Sequence, residues 1–438
     1  MNTNAERFSE LGRFCVAAEV TRRSFLGSPI DSAPERPRIS RIGADVGVRF
    51  GATQYAFIRV IRGSKALLLS LALGLCGSSA SATIAPMETA AAPAVAPTAL
   101  PVKALMMFFP PRAEMDRFLQ FVRRDLPQAG VNHLILQIDY GYQFKCRPEM
   151  AGDRTEAEVK AVVAACRAAG IKLIPLVNCL GHQSWAETTH RLLTVHPEFD
   201  ETPGLYPKND GIYCRSYCPN HPQVHAVIFD LLAEIAEVFE ADAVHVGMDE
   251  VFLLGEAACP RCQGRDPAEL FAQEVRTLRD FLHGRGVRLW LWGDRLLDGR
   301  TTGLGKWEAS LNNTHRAIDL VPKDIVVCDW HYEAAPPTAA YFALKGFDVI
   351  ACSWNRPAIA AAQADQIFAL RAAPGENTVG PRLLGVMATI WEAPEKFLEN
   401  LKAVPANGAG KEPSSAENFV RLFERVRELE TKAAGKGN

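Results

Sequence analysis

From residue 102 onward, the chain alternates short, continuously apolar segments with longer stretches of amphipathic helical pattern. An apolar run without polar alternation is typical of a parallel strand that is buried on both faces. The apolar segments are 102–109, 131–138, 171–178, 241–248, 287–293, 325–331, 347–354 and 383–391, and helical patterns occupy 113–126, 155–169, 221–239, 267–284 and 356–372.

Eight strand segments separated mostly by helical patterns predict an α/β fold, a single (β/α)₈ TIM barrel. A doubly wound open sheet is the alternative, but the first strand is not followed by the phosphate-binding G-x-G-x-x-G that this fold often carries. Glycines stand where several helices should end, at Gly130, Gly170, Gly286 and Gly346, and glycine is the usual residue just beyond a helix C-terminus. The barrel is expected to occupy residues 102–400.

Residues 59–82 have the pattern of a secretory signal peptide. Three basic residues precede the apolar run 66–76, and Ala80-Ser81-Ala82 follows it. The run is about half as long as a bilayer requires, so we expect cleavage near Ala82 and no stable membrane span in the mature chain. We therefore predict a leader at 1–58, an Ala/Pro-rich linker at 83–101, and a periplasmic or secreted location.

Residues 401–438 are expected to hold a helix at 415–433, because Phe419, Leu422, Phe423, Val426 and Leu429 share one helical face.

Lys+Arg of 48 against Asp+Glu of 50 gives a net charge of −2. This balance offers no basic surface for nucleic acid, and no motif predicts a bound cofactor.

The fourth strand segment ends in two adjacent carboxylates, Asp249 and Glu250. Active sites of TIM barrels lie at the C-terminal ends of the strands, and burying ionised groups there is costly unless they act on a ligand. Acidic residues that decorate a helix N-terminus are the alternative. Neighbouring side chains on an extended backbone point in different directions, so the two acids can take different roles.

Aromatic and polar residues recur at the ends of the last four strand segments. Aromatic faces beside hydrogen-bonding groups suit a sugar, whose ring faces are apolar and whose rim is polar. We expect these side chains to converge on one cavity for a carbohydrate substrate, with His182 of the long loop 179–220 beside them. They are Trp292, Asp294, Trp330, Tyr332, Trp354, Trp391 and Glu392.

These motifs resemble glycoside hydrolase family 20, the β-N-acetylhexosaminidases, over residues 130–395. The family signature H-x-G-G-D-E is similar to His245-Val246-Gly247-Met248-Asp249-Glu250, in which Met248 replaces the second glycine. Weaker matches lie at 174–182, 218–222, 292–294 and 385–392. The His-x-His of the family's second strand is replaced here by 134–137, and the acid of I-P-E-I-D becomes Asn178.

The resemblance implies that an exported hydrolase removes N-acetylhexosamine residues with retention of configuration. Glu250 would be the general acid/base, and Asp249 would orient the substrate's acetamido group, whose carbonyl oxygen would be the nucleophile. Tyr332 would contact that oxygen, and Arg112 is the counterpart of the family's sugar-binding arginine. Two alternatives stay open: a sugar-binding barrel with weak or no turnover, and a conventional retaining glycosidase with Asp294 or Glu392 as the nucleophile.

Four cysteines fall in loops that should lie on the active face, namely Cys214, Cys218, Cys259 and Cys262. The C-x₂-C spacing at 259–262 is a moderately specific zinc pattern, which predicts a structural metal site as one interpretation. Two disulfides are equally compatible with an exported protein, and free thiols are the third interpretation. The absence of H-E-x-x-H from the sequence argues against a catalytic metal.

Overall fold

A computed structural model describes residues 99–374, 376–405 and 413–435 of the chain. Eight parallel strands close into a barrel in which each strand pairs with its neighbours in the chain and the last pairs with the first. The predicted (β/α)₈ fold is therefore confirmed. The strands are β1 (Val102–Phe108), β2 (His133–Gln137), β3 (Lys172–Cys179), β4 (Ala243–Gly247), β5 (Arg288–Trp292), β6 (Val326–Trp330), β7 (Asp348–Ser353) and β8 (Leu383–Thr389).

Helices follow most of the strands. The exception is the connection after β5, which has the short helix Gly299–Thr302 and the 3₁₀ segment Thr314–Asp319 instead of a long helix. The main helices are α1 (Met115–Gln120, continued by a π-helical turn at Phe121–Asp125 and a last turn at Leu126–Ala129), α2 (Glu156–Ala168), α3 (Val224–Val238), α4 (Pro267–His283), α5 (Thr338–Leu344), α6 (Pro357–Arg371), α7 (Pro394–Ala403) and α8 (Ser415–Gly435).

The helix starts carry clear sequence signals. Thr155 accepts a hydrogen bond from the Glu158 backbone, and the Glu158 carboxylate accepts one from the Thr155 backbone at 2.7 Å, which is a complete capping box for α2. Asp266 caps α4 through the Ala268 N–H at 2.9 Å, and Pro267 occupies the first helical position. Local sequence thus specifies where these two helices begin.

The core has two layers. Outward-facing strand residues pack against the helices, whereas alternate residues fill the barrel interior. The interior includes three tryptophans, Trp290, Trp292 and Trp330, each at most 7% exposed. Side chains of this size fill an eight-stranded barrel, so its lower part is packed rather than hollow.

The strands β1 and β8 close the barrel through a glycine. Val102 pairs with Gly385, and a Cβ atom at residue 385 would lie 1.7 Å from the Val102 carbonyl oxygen. Only glycine permits this approach of the two backbones. The closure of the barrel therefore depends on the absence of a side chain at this position.

Helix α8 lies against α6 and α7, with Phe419, Leu422 and Phe423 buried. Asn418 of the same helix donates a hydrogen bond of 3.0 Å to Ser353 Oγ at the end of β7. No helix within the described ranges is long and apolar enough to cross a membrane. The predicted leader, signal peptide and most of the linker lie outside the described residues.

Candidate active site

The loop that leaves β4 turns sharply at the two acids. Gly247, Met248 and Glu250 have φ values of 66°, 67° and 49°, in the left-handed region that disfavours side chains. Such strain at non-glycine residues is stored mainly at functional sites. Asp249 and Glu250 are both 8% exposed, so the turn holds two carboxylates at the edge of the barrel core with little contact to water.

His182 lies between the two carboxylates. Its Nε2 atom is 3.2 Å from Asp249 Oδ2 and 3.3 Å from Glu250 Oε2. Burial lowers the pKa of His182, but the charge of Asp249, together with the contacts to both carboxylates, outweighs this effect and raises the pKa well above its ordinary value. Burial conversely raises the pKa of Asp249, but the charge of His182, together with hydrogen bonding to the carboxylate, brings the pKa below its ordinary value. A protonated His182 beside an ionised Asp249 is the favoured state.

The same three residues could in principle hold a cation, since one atom from each lies within 4.8 Å of the others. A metal requires an unprotonated imidazole nitrogen, whereas the raised pKa of His182 favours the imidazolium form. The imidazolium balances the charge of one of the two carboxylates. The arrangement therefore suits an ion pair.

A cavity of about 270 Å³ opens above this group. Asp249 and His182 form part of its wall, and one buried oxygen of Asp249, Oδ1, has no hydrogen-bond partner among the described residues. A buried acceptor without a partner is costly, so a ligand donor would satisfy it. The other lining residues are Phe108, Phe109, Gln137, Ile138, Asp139, Gly141, Asp153, Arg154, Asn178, Trp185, His190 and Trp391.

The predicted aromatic residues form one connected cluster, of which only Trp391 lines the cavity. Trp391 Nε1 donates to the Tyr332 hydroxyl at 2.8 Å, and the Tyr332 ring lies 4.9 Å from Trp330 and 5.5 Å from Trp354. Trp292 lies beneath Trp391, with ring centroids 6.0 Å apart. The expectation of four tryptophans facing the sugar needs correction, because Trp292 and Trp330 are part of the barrel core.

Asp294 holds the backbone of the turn that carries Asp249 and Glu250. Its Oδ2 accepts the Glu250 N–H at 2.9 Å and Arg295 Nε at 2.7 Å, and its Oδ1 accepts Trp330 Nε1 at 3.3 Å. Burial raises the pKa of Asp294 to about 6 although Arg295 lies beside it. With 2% of the residue exposed, Asp294 positions Glu250 and does not line the cavity.

Two predicted substrate-binding residues lie elsewhere. The side chain of Arg112 is 67% exposed and pairs with Glu158 at 2.6 Å, so it is fastened to the start of α2. Glu392 faces Lys396 at 3.6 Å and Asn400 at 3.3 Å, both on α7. Neither placement supports contact with a sugar, and the predicted roles of Arg112 and Glu392 are not carried forward.

Several cavity residues were missed by the sequence analysis. Trp185 belongs to a small hairpin (Ser184–Trp185 with Thr188–Thr189) inside the loop after β3, and its ring is stacked on His182 with centroids 6.1 Å apart. Arg154 lies in the loop after β2, its side chain 11% exposed. The unusual length of the first loop was the available signal for Trp185. Nothing in the local sequence singles out Arg154.

The cysteine prediction also needs correction. Cys218, Cys259 and Cys262 lie together, but Cys214 does not join them: its Sγ lies 3.5 Å from the Glu250 carbonyl oxygen. The fourth residue of the cluster is Glu201, which the sequence did not predict as a ligand. Chain spacing misled here because Cys214 and Cys218, although close in sequence, contact different parts of the structure.

Gly247 offers a direct test of the strained turn. A Cβ atom there would lie 2.3 Å from Asn178 Oδ1, and φ is already left-handed. We expect Gly247→Ala to lower the free energy of unfolding by roughly 3 kcal/mol, as the sum of backbone strain and overpacking, measured by chemical denaturation. The control is Gly130→Ala, with φ of 83° and nothing within 4 Å of the added atom, which should lose only about 1 kcal/mol. Equal losses would contradict the steric explanation.

The barrel, the acidic pair at the end of β4 and the cavity above it together define an enzyme of the (β/α)₈ hydrolase class. The chain belongs to glycosyl hydrolase family 20, whose catalytic-domain profile matches residues 133–365.

Known proteins similar to the chain agree with this assignment. A β-hexosaminidase from Vibrio furnissii is 28% identical over 207 residues, which cover 45% of this chain and 30% of that protein. One from Akkermansia muciniphila is 30% identical over 137 residues, 30% of this chain and 26% of that protein. The chain thus spans less than a third of the length of either relative.

Solved structures share the fold at low sequence identity. A chitobiase from Flavobacterium johnsoniae superimposes with a TM-score of 0.52 at 19% identity, covering 77% of this chain and 52% of that one. A β-N-acetylhexosaminidase from Bacteroides fragilis gives 0.52 at 14% identity, covering 77% and 70%. These likenesses concern the fold alone.

Proposed function

We propose that this protein is a glycosidase that removes N-acetylhexosamine residues from glycans, with retention of configuration and with the substrate's own acetamido group as nucleophile. The observation that carries the proposal is that Asp249, which lines the cavity next in sequence to Glu250, has a buried oxygen with no hydrogen-bond partner among the described residues. Family membership supports the same reaction class.

Glu250 is the proposed general acid. As the C1–O bond breaks, its carboxyl proton passes to the leaving glycosidic oxygen, and the acetamido carbonyl oxygen bonds to C1 to give an oxazolinium ion. The resulting Glu250 carboxylate then takes a proton from the water that attacks C1 and reopens the ring. Its Oε2 atom lies 3.3 Å from Nε2 of His182, which is part of the cavity wall.

Asp249 is proposed to hold the acetamido group. Its free Oδ1 would accept the acetamido N–H, and its negative charge would stabilise the positive charge that develops on the oxazolinium ring. The lowered pKa of Asp249 beside His182 supports an ionised carboxylate in this role. Tyr332 is not part of the cavity wall, and its hydroxyl accepts a hydrogen bond from Trp391 Nε1 at 2.8 Å. It would position the Trp391 ring against the sugar, in place of the contact to the acetamido carbonyl oxygen that the sequence resemblance implied.

The remaining cavity wall fits a sugar ring. Trp391 and Trp185 offer aromatic faces, and Arg154 offers a donor for hydroxyl groups. Arg154 would have the sugar-binding role that the family resemblance implied for Arg112, because Arg154 lines the cavity and Arg112 does not. A conventional retaining mechanism is less well supported, since both carboxylate oxygens of Asp294 are occupied by protein donors.

The test compares a chromogenic β-N-acetylglucosaminide with the matching β-glucoside, which lacks the acetamido group. We expect turnover of the first with retained configuration, followed by NMR of the released sugar, and a kcat/KM for the glucoside lower by several orders of magnitude. Equal turnover of both would support a protein nucleophile instead. Binding of either sugar without turnover would identify a sugar-binding barrel.

A further inference from the structure

A second cluster of reactive side chains lies outside the cavity, between the loops that follow β3 and β4. It consists of Glu201, Cys218, Cys259 and Cys262, all at most 1% exposed. Cys218 Sγ lies 3.5 Å from Cys262 Sγ and 3.4 Å from Cys259 Sγ. One carboxylate oxygen of Glu201 and the three sulphur atoms are all within 4.8 Å of one another.

The carboxylate of Glu201 is only partly satisfied by protein groups. Its Oε1 accepts the backbone N–H groups of Gly255 and Glu256 at 2.8 and 3.3 Å. Its Oε2 is buried and has no hydrogen-bond partner among the described residues. A buried carboxylate of this kind is expensive unless a proton or a cation neutralises it. The cluster therefore requires a group that neutralises this carboxylate.

The sulphur spacing fits a metal better than a disulfide. A disulfide requires two sulphur atoms about 2.05 Å apart, and any pairing among three cysteines leaves one thiol buried against Glu201. Four ligands arranged tetrahedrally around zinc, with Zn–S of about 2.3 Å, place their sulphur atoms about 3.8 Å apart. The observed separations lie close to this value and need only a small adjustment.

The surrounding chain also favours thiolates. Cys259 and Cys262 have the C-x₂-C spacing that lets two sulphur atoms bind one ion, and the side-chain amide of Asn220 points at Cys262 Sγ at 3.4 Å. Three soft sulphur ligands with one carboxylate select zinc over magnesium or calcium. A full set of four protein ligands leaves no open position, as in structural zinc sites.

We propose that Glu201, Cys218, Cys259 and Cys262 bind one Zn²⁺ ion in a closed, structural site. The ion joins three separate chain segments: the loop after β3 near residue 201, the entry to α3 at residue 218, and the loop after β4 at 259–262. This last loop begins directly after Glu250. Zinc would hold the wall of the active site in place without contacting substrate.

The test uses the full chain, purified with a thiol reductant and without chelator, and measures zinc by elemental analysis. We expect about one zinc ion per chain, a lower melting temperature after removal with a chelator, and recovery when zinc is returned. Replacement by Co²⁺ should give the intense near-ultraviolet band of thiolate-to-cobalt charge transfer. Cys262→Ser should abolish stoichiometric binding, whereas Cys146→Ser, at an exposed cysteine outside the cluster, should retain it.

Because Cys262→Ser could fail to fold, Glu201→Gln provides a second variant. It keeps the shape of the side chain and removes its charge, so zinc should be lost to a competing chelator at a lower concentration than from the wild type. A reduced wild-type chain that takes up no zinc would overturn the proposal. A disulfide within the cluster, detected as a mass lower by two hydrogens in unreduced, alkylated protein, would also overturn it, as would full zinc content in Glu201→Gln and Cys262→Ser together.

Discussion

Glu250→Gln should lower kcat for an N-acetylglucosaminide by about 10²–10⁴-fold, the usual contribution of a positioned proton donor. The amide keeps the shape of the side chain, and the Glu250 backbone N–H would still donate to Asp294, so the melting temperature should change little. Steady-state kinetics give the rate and thermal unfolding gives the stability. A substrate whose leaving group needs little protonation should lose much less activity than one with a poor leaving group.

The matched control for this substitution is Glu392→Gln. Both positions carry a largely buried acid near the C-terminal end of a strand, with 10% and 13% of the side chain exposed, but Glu392 faces Lys396 and Asn400 on α7. Its variant should hydrolyse substrate at a rate close to that of the wild type. If Glu392→Gln were as damaging as Glu250→Gln, or if the loss in Glu250→Gln did not depend on the leaving group, the assignment of the general acid would be wrong.

The fold was predictable because its signals are local and repeated. Continuous apolar runs define strands buried on both faces, and the capping residues Thr155 and Asp266 mark helix starts. The connection after β5 shows the limit of this reasoning, since a 3₁₀ segment there replaces a helix. Eight strands close the barrel even when one connection is irregular.

The candidate site was predictable only in part, because spatial neighbours from different loops leave no mark on local sequence. Asp249 and Glu250 were found since two acids at a strand end have few structural explanations. Arg154 and Glu201 were missed because each looks like an ordinary polar loop residue. Too many tryptophans were predicted to line the sugar cavity for a related reason. Large aromatic side chains at the strand ends can fill the barrel interior as well as line a sugar cavity.

Asp249→Asn should lower kcat/KM for an N-acetylglucosaminide by about 10²–10³-fold, comparable to the loss of a preorganised electrostatic contact to a transition state. The asparagine amide cannot supply the negative charge that faces the oxazolinium ring. If its NH₂ group took the position of Oδ1, two hydrogen-bond donors would face each other, because the acetamido N–H is also a donor. It would also leave His182 with one carboxylate in place of two. The measurement is kcat/KM for the variant and the wild type on the same substrate.

A series of substrates with increasingly fluorinated acetamido groups separates this role from simple sugar binding. Fluorine withdraws electrons from the carbonyl oxygen, so wild-type rates should fall steeply along the series if that oxygen is the nucleophile. Asp139→Asn is the control, because Asp139 also lines the cavity but belongs to the loop after β2; it should lower all rates by a similar factor and keep the slope. Asp249→Asn should change the slope, since its charge acts on the ring that forms. If wild-type rates did not change with fluorination, the acetamido oxygen would be excluded as nucleophile. A protein carboxylate would then be the nucleophile.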